Sequence, residues 1–171
     1  MKVTCYFDGG CGPDNPGGQA TFGAIVKSGE GQVLLSKSGY VGKGPQMSNN
    51  VAEYEGIIAV MQFLIETGVT EGVIYGDSLL VVNQLNRKWK ARKGLYLKHY
   101  KHALRLRQQL KRVQIEWIPR ASNSEADQLA RRAMRVTLTT TDKRRRELAE
   151  LIREQRADAR DRRLRFDRAS A

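Results

Sequence analysis

Residues 2–10 of the chain read KVTCYFDGG and predict the first strand of a sheet. Val3, Cys5 and Phe7 alternate with more polar residues, which is the period of a strand with one buried face. The predicted strand ends at Asp8, where the sequence turns into glycine. The stretch therefore predicts a strand that carries a carboxylate at its end.

Two further strands follow this one. Residues 9–18 are rich in glycine and proline and predict a loop. Residues 20–27 and 32–40 have strand patterns on either side of a Ser-Gly-Glu-Gly turn, which predicts a hairpin. Three consecutive strands favour antiparallel pairing.

The rest of the sequence alternates helices with shorter strands. Ser48, Asn49 and Asn50 are helix-capping residue types, and apolar residues recur after them at helical spacing up to Gly68. The later segments are predicted as a strand at 72–77, helices at 78–86 and 95–110, a strand at 113–118 and a helix at 124–134. The order βββαβααβα predicts an α/β fold with a mixed five-stranded sheet, three antiparallel then parallel strands, and helices on both faces.

Composition excludes several classes of protein. The chain has 171 residues, of which 40% are hydrophobic and 28% charged, so it is not wholly disordered. Its net charge of +12 favours polyanionic partners. The longest apolar stretch is too short to span a membrane, and Asp8 stands where a signal peptide would keep its apolar core. Cys5 and Cys11 form neither a disulfide framework nor a zinc site, so we expect a cytoplasmic, monomeric protein.

The chain divides near residue 137. Residues 1–136 have globular patterning, whereas residues 137–171 are rich in arginine and glutamate and contain few large apolar residues. We interpret 1–136 as the functional domain and 137–171 as a charged C-terminal extension, helical or disordered, with residues 136–141 as its linker.

Four acids occupy the ends of the predicted elements. Asp8 and Asp77 end strands, while Glu53 and Asp127 lie in the first turns of helices. Strand ends and helix N-termini can gather at one edge of such a sheet. Clustered carboxylates repel one another unless they bind hard cations, and two Mg²⁺ ions at such a site can support phosphodiester hydrolysis.

Each acid taken singly has an ordinary structural explanation. An acid at a helix N-terminus stabilises the helix dipole, which accounts for Glu53 and Asp127. An acid after a strand is a common turn residue, which accounts for Asp8 and Asp77. Spacing alone leaves both interpretations open.

Several blocks resemble the signature motifs of type 1 ribonuclease H. They occur in that family's order and are residues 6–10, 15–17, 48–54, 76–78 and 126–130. The resemblance implies the RNase H-like fold and endonucleolytic hydrolysis of the RNA strand of RNA–DNA hybrids, leaving 5′-phosphates. It also implies two Mg²⁺ ions, with Mn²⁺ as a substitute. By matching position, the catalytic and metal-binding acids would be Asp8, Glu53, Asp77 and Asp127.

The same resemblance implies substrate-binding residues. Gly9, Gly10 and Gly12 would let the backbone approach the RNA minor groove, where 2′-hydroxyls distinguish RNA from DNA. Ser48 matches a position that binds a phosphate of the DNA strand. The polar hybrid-contacting positions are Asn15, Asn49 and Asn50. Helix capping is the alternative explanation for the last two.

The chain departs from the family pattern in two places. The loop before Asp127 has no histidine and instead contains Pro119 and Arg120, like a shorter subgroup of the family. Arg120 could act on the scissile phosphate as a fixed cation. Leu79 stands where the family usually has a glutamine that contacts the hybrid. Neither change removes a predicted metal ligand.

A basic stretch lies between Asp77 and Glu116, where the sequence has no acid. A run of one sign with interspersed aromatic residues favours backbone phosphates as partners. It lies where longer family members carry a basic protrusion, and we expect Trp89 and neighbouring lysines to contact the DNA strand. The alternative is a helix with solvated lysines.

Further side chains are predicted to be structural. Trp117 alternates with Val113 and Ile115 and is assigned to the core. His99 and His102 have no cysteine or acid at ligand spacing, so they are interpreted as surface or hydrogen-bonded histidines.

Three functions therefore compete. A ribonuclease H is the main prediction. A noncatalytic hybrid- or duplex-binding module and another nuclease on the same fold, such as a DNA resolvase or integrase, are the alternatives.

Overall fold

The computed structural model describes the backbone of residues 2–169 and the side chains of residues 2–149. Its strands are β1 (Lys2–Gly12), β2 (Gly17–Ser28), β3 (Val33–Gly44), β4 (Glu71–Gly76) and β5 (Arg112–Trp117). Its helices are α1 (Asn49–Glu66), α2 (Leu79–Leu85), α3 (Leu97–Arg107) and α4 (Ser124–Ala169), with a 3-10 turn at Arg120–Ser122.

The strands form one mixed sheet in the order β3-β2-β1-β4-β5. β1 pairs antiparallel with β2, which in turn pairs antiparallel with β3. β4 lies parallel to both β1 and β5. The predicted fold class is confirmed, and the parallel strands place Phe7, Gly76 and Trp117 side by side in adjacent strands.

Helices cover both faces of the sheet. On one face, Gly56 of α1 lies so close to β1 that a Cβ there would be 2.9 Å from the carbonyl oxygen of Asp8. On the other face, the Thr21 hydroxyl donates to the carbonyl of Ala130 in α4 at 2.9 Å. The apolar core, which includes Phe7, Tyr54 and Ile74, fills the α1 face.

The first strand is longer than predicted. β1 continues to Gly12, so Asp8 lies inside the strand and pairs with Gly23. The glycines after Asp8 suggested a turn because glycine favours turns. The hydrogen-bond ladder with β2 instead keeps them extended as far as the Gly12–Gln19 pair.

Two other predictions differ from the structure. Trp117 is 45% exposed rather than buried, because β5 is an edge strand and Trp117 is its last residue. Residues 136–141, expected as a linker, are helical. The hydroxyls of Thr140 and Thr141 each donate to the carbonyl four residues earlier, which satisfies these side chains within the helix.

The chain forms two compact units, Met1–Arg135 and Val136–Ala171. The first contains the sheet and all of its strands. The second is helical as far as Ala169. No helix in the described part of the chain is long and apolar enough to cross a membrane.

The packing of α4 on β2 predicts the effect of a single methyl group. A Cβ at Gly23 would lie 2.2 Å from the carbonyl oxygen of Ala126 and 2.9 Å from the amide nitrogen of Ala130. We expect Gly23→Ala to lower the free energy of unfolding by about 1–3 kcal/mol, because overpacking forces backbone shifts. Urea denaturation measures this. Gly29→Ala is the control, because a Cβ there would have its nearest atom 3.5 Å away and stability should change little. Equal stability of the two variants would contradict the packing.

Candidate active site

Three acids from three elements meet at one edge of the sheet. Asp8 projects from β1, Glu53 from α1, and Asp77 directly follows β4. One carboxylate oxygen from each lies within 4.8 Å of the others, the arrangement of a potential metal site. Gly9 allows this approach, since a Cβ there would be 2.2 Å from the backbone nitrogen of Glu53. Close packing of α1 on β1 therefore assembles the cluster.

The cluster is electrostatically unfavourable without a cation. Burial, followed by the charge of Asp77, raises the pKa of Asp8 to about 7. Burial and then the charges of Asp8 and Asp77 raise the pKa of Glu53 well above its usual value. Glu53 Oε2 is buried and has no hydrogen-bond partner among the residues whose side chains are described. An unsatisfied carboxylate oxygen beside two other acids suits a hard divalent cation.

Asn123 holds Asp77 in place. This buried side chain donates from Nδ2 to Asp77 Oδ1 at 2.9 Å and to the carbonyl of Phe7 at 2.8 Å. It thereby connects the strand that carries Asp8 to the acid after β4. Trp117 adds a hydrogen bond from Nε1 to the backbone carbonyl of Asp77 at 3.1 Å. The sequence analysis predicted neither role. For Asn123 the available signal was its place directly before a predicted helix, which indicates only a capping residue.

Asp8 of this cluster and Asp127 border an open cleft of about 250 Å³. Its lining includes Asp8, Gly9, Gly10, Asn49, Arg120 and Arg131. The cleft thus places partly exposed glycine backbone and two guanidinium groups beside Asp8 and Asp127. Such a surface can bind a polyanion and present it to a metal site.

Comparison with known proteins identifies the family. The family model described as "Reverse transcriptase-like" matches residues 6–133. The "Bifunctional protein Rv2228c" of Mycobacterium tuberculosis is 41% identical over 135 residues, which are 78% of this chain and 36% of that protein. The solved N-terminal RNase H domain of rv2228c superimposes with a TM-score of 0.75 at 37% identity, covering 82% of this chain and 99% of that one. The chain belongs to the type 1 ribonuclease H family.

Two other type 1 ribonucleases H are similar to it. "Ribonuclease HI" of Halobacterium salinarum is 32% identical over 133 residues, 78% of this chain and 64% of that protein. LC11-RNase H1, solved in complex with an RNA/DNA hybrid, has a TM-score of 0.71 at 28% identity, covering 80% of this chain and 99% of that one. The chain spans about a third of the length of its mycobacterial relatives.

The fourth acid of the predicted ribonuclease H quartet lies beside the other three but has different partners. Arg120 Nη2 binds Asp127 Oδ1 and Arg131 Nε binds Oδ2, each at 2.7 Å. Partial burial favours the neutral form of Asp127, but the hydrogen bonds from Arg120 and Arg131 outweigh it and lower the pKa. Asp127 is therefore ionised and neutralised by arginine, whereas the trio is not.

Two predicted substrate residues, Asn15 and Asn49, connect residues 11–15 to α1. Asn15 Oδ1 accepts from the Asn49 amide at 2.9 Å, and Asn49 Oδ1 accepts from the Cys11 amide at 2.6 Å. Ser48 caps α1, with Oγ accepting from the Val51 amide at 3.3 Å. These residues position the cleft wall, and their contact with substrate stays a prediction.

The other predicted substrate residues lie in several places. A Cβ at Gly10 would have no atom within 4 Å, and a Cβ at Gly12 would have only Met134 Cε, at 3.9 Å. Asn50 is partly buried in the first turn of α1. Trp89 is 49% exposed in the segment between α2 and α3 and does not line the cleft.

The raised pKa of Asp8 predicts a pH-dependent stability difference. Because this pKa rises from 3.8 to about 7, Asp8 stabilises the fold below pH 4, and this contribution is lost as the pH rises through 7. In EDTA at pH 8, Asp8→Asn should be more stable than the original chain by up to about 4 kcal/mol, at about 1.36 kcal/mol per pKa unit.

Urea denaturation between pH 4 and 8 checks this expectation. The advantage of Asp8→Asn should shrink towards pH 4, where the native carboxyl is protonated. A variant less stable than the original at pH 8 would show that the cluster is not strained.

Proposed function

We propose that this chain is a ribonuclease H that cleaves the RNA strand of RNA–DNA hybrids endonucleolytically and leaves 5′-phosphates. The observation that carries the proposal is the trio of Asp8, Glu53 and Asp77, crowded and partly unsatisfied, of which Asp8 lines an open cleft that also has glycine backbone in its wall. Family membership and the LC11-RNase H1 complex with an RNA/DNA hybrid support the choice of substrate.

The carboxylates are the proposed metal ligands. Asp8, Glu53 and Asp77 would hold two Mg²⁺ ions, with Mn²⁺ as a substitute and Asp127 as a fourth ligand. When bound, such ions activate water and stabilise charge on the leaving 3′-oxygen. Asn123 contributes by fixing one oxygen of Asp77, which leaves the other oxygen available to a cation.

Arg120 is the proposed phosphate contact that replaces the missing histidine. Its guanidinium is largely exposed and bonds Asp127 from the rim of the cleft. A substrate phosphate can take over that guanidinium through charge-assisted hydrogen bonds of the same kind. Release of Arg120 from Asp127 would leave Oδ1 available to a cation. Arrival of substrate would thus complete the set of four acids.

The hybrid is proposed to lie over the glycine-rich residues 9–12 of β1. Gly9 is required by packing against α1, but nothing in the described residues occupies the space over Gly10. That open space suits an RNA minor groove, with Gly12, Asn15 and Asn49 alongside. Ser48 and Asn50, at the start of α1, would contact phosphate and base edges.

The DNA strand is proposed to contact Trp89 and the lysines beside it. Trp89 is exposed, and Lys88, Lys90 and Lys93 around it are exposed as well. An exposed indole surrounded by cations offers a stacking surface and phosphate contacts.

The proposal assigns catalysis to residues 1–136 and treats residues 137–171 as a charged extension. The division into Met1–Arg135 and Val136–Ala171 supports this assignment. We further propose a monomer, and a location in the cytoplasm, where the two free cysteines would stay reduced.

A cleavage assay tests the activity. The full chain should cut a labelled RNA–DNA hybrid internally with Mg²⁺ or Mn²⁺, but not in EDTA, and should leave an all-DNA duplex intact. Asp77→Asn should lower turnover more than about 100-fold, since even second-shell partners of metals contribute 10–100-fold. The substituted amide can still accept from Asn123, so folding is preserved.

The matched control is Asp142→Asn, the same change at an exposed position in the second unit. Turnover close to the original in Asp77→Asn would refute the site. Tight hybrid binding without any cleavage under either metal would favour the noncatalytic module, and cleavage of the all-DNA duplex would favour another nuclease.

A second variant tests the glycine surface. Gly10→Ala meets no atom within 4 Å, so the fold should be unchanged. Because the methyl group occupies the proposed minor-groove path, we expect the KM for hybrid to rise by about tenfold, the effect of roughly 1.4 kcal/mol. Steady-state kinetics with Gly29→Ala as control measures this, and an unchanged KM would place the hybrid elsewhere.

A further inference from the structure

A second cleft lies away from the catalytic one, between the C-terminal ends of α2 and α3. It encloses about 360 Å³ and shares no lining residue with the catalytic cleft. Its polar lining consists of Asn86, Arg87, Arg107, Gln108 and Lys111, and the rest is leucine. The lining contains three cationic side chains and no carboxylate.

These three cations have no acidic partner among the residues whose side chains the structure describes. Among the described side chains, no ion pair forms to Arg87, Arg107 or Lys111. The neighbouring Arg112, by contrast, pairs with Glu71 at 2.5 Å. The cleft therefore brings three cationic side chains into one lining without a described counter-charge, and an anion bound there would supply that counter-charge.

Arg87 has a backbone conformation that favours glycine. Its φ is 59°, and it is the one non-glycine residue with positive φ in the described chain. It ends α2 in a Schellman motif, with Arg87 N–H bonded to the Gln84 carbonyl at 3.0 Å and Lys88 N–H to that of Asn83 at 2.8 Å. Glycine would adopt this conformation at lower cost. An arginine here therefore costs stability relative to glycine, and a function of its side chain would explain why it is present.

Arg107 is fixed in the wall of the cleft. Its Nη1 donates to the Leu110 carbonyl at 2.5 Å, and burial lowers the pKa of its guanidinium. Within the described residues it makes no other hydrogen bond, so its remaining N–H groups are unused. A partly desolvated guanidinium held by one backbone bond is a prepared donor for an oxyanion.

We propose that this cleft binds a phosphate group through Arg87, Arg107 and Lys111. The phosphate belongs either to a nucleic-acid backbone or to a small phosphorylated molecule, and both present the same oxyanion. The site goes beyond the proposed ribonuclease activity and does not depend on it, because none of its residues lines the catalytic cleft.

Titration with inorganic phosphate tests the site directly. The full chain, in EDTA and at constant ionic strength, is followed by amide NMR. We expect saturable shifts at residues 85–88 and 104–111. Arg87→Gly should weaken phosphate binding about tenfold or more, the effect of losing one charge-assisted hydrogen bond. It should also raise Tm by a few degrees, since glycine relieves the backbone.

Two other variants make the result specific. Lys111→Ala, on a different segment, should weaken phosphate binding without raising Tm. Lys37→Ala removes the same charge from exposed β3 and should bind phosphate like the original chain. Unsaturable shifts, or equal phosphate binding by the original chain and Arg87→Gly, would overturn the proposal.

Hybrid binding without divalent metal distinguishes the two sources. If the cleft takes a backbone phosphate, Arg87→Gly and Lys111→Ala should bind the hybrid more weakly. The slope of log K against log salt should become shallower by about 0.9 for each lost contact. Loss of phosphate binding with unchanged hybrid binding would assign the cleft to a small phosphorylated ligand.

Discussion

The close approach of α1 to β1 is the constraint on which both the fold and the site depend. Gly9 and Gly56 bring the two backbones within a distance that a Cβ would prevent. The same approach buries Phe7 and Tyr54 in the core and sets Glu53 beside Asp8. Packing energy from the apolar face can therefore stabilise an arrangement of carboxylates that would otherwise separate. Since β4 lies parallel to β1 and Gly76 pairs with Phe7, Asp77 follows β4 at the same level of the sheet as Asp8.

The four carboxylates differ in whether a positive charge neutralises them. Asp127 is neutralised by two guanidinium groups, whereas Asp8, Glu53 and Asp77 form no ion pair among the described side chains, and of these three Asn123 donates only to Asp77. The fold thus keeps one acid satisfied and leaves three in need of a cation. The cleft carries positive charge at its rim and negative charge at its floor, an arrangement suited to holding a phosphodiester over metal ions.

Much of this organisation is predictable from the sequence. The strand period of residues 3–7 and the later alternation of helices and strands predict the mixed sheet, and placing acids at strand ends predicts that Asp8 and Asp77 meet. The contact between Arg120 and Asp127 was not predictable, because it depends on where the turn at Arg120–Ser122 lies relative to α4, whereas Arg131 lies at i,i+4 from Asp127 on the same predicted helix. Asn123 was missed because local sequence indicates only a helix cap. The extension of β1 beyond Asp8 depends on its pairing with β2, and the exposure of Trp117 depends on β5 being an edge strand. Composition encodes neither of these.

Binding of a divalent cation to the free protein tests the central claim most directly. Mn²⁺ added to the metal-free chain at pH 8 should raise Tm in a concentration-dependent way, because ligands that bind the native state stabilise it by mass action. Glu53→Gln keeps the shape of the side chain but removes the unsatisfied carboxylate, so its Tm should respond far less. Equal Mn²⁺-dependent rises in both proteins would contradict the claim that the trio of Asp8, Glu53 and Asp77 is a metal site.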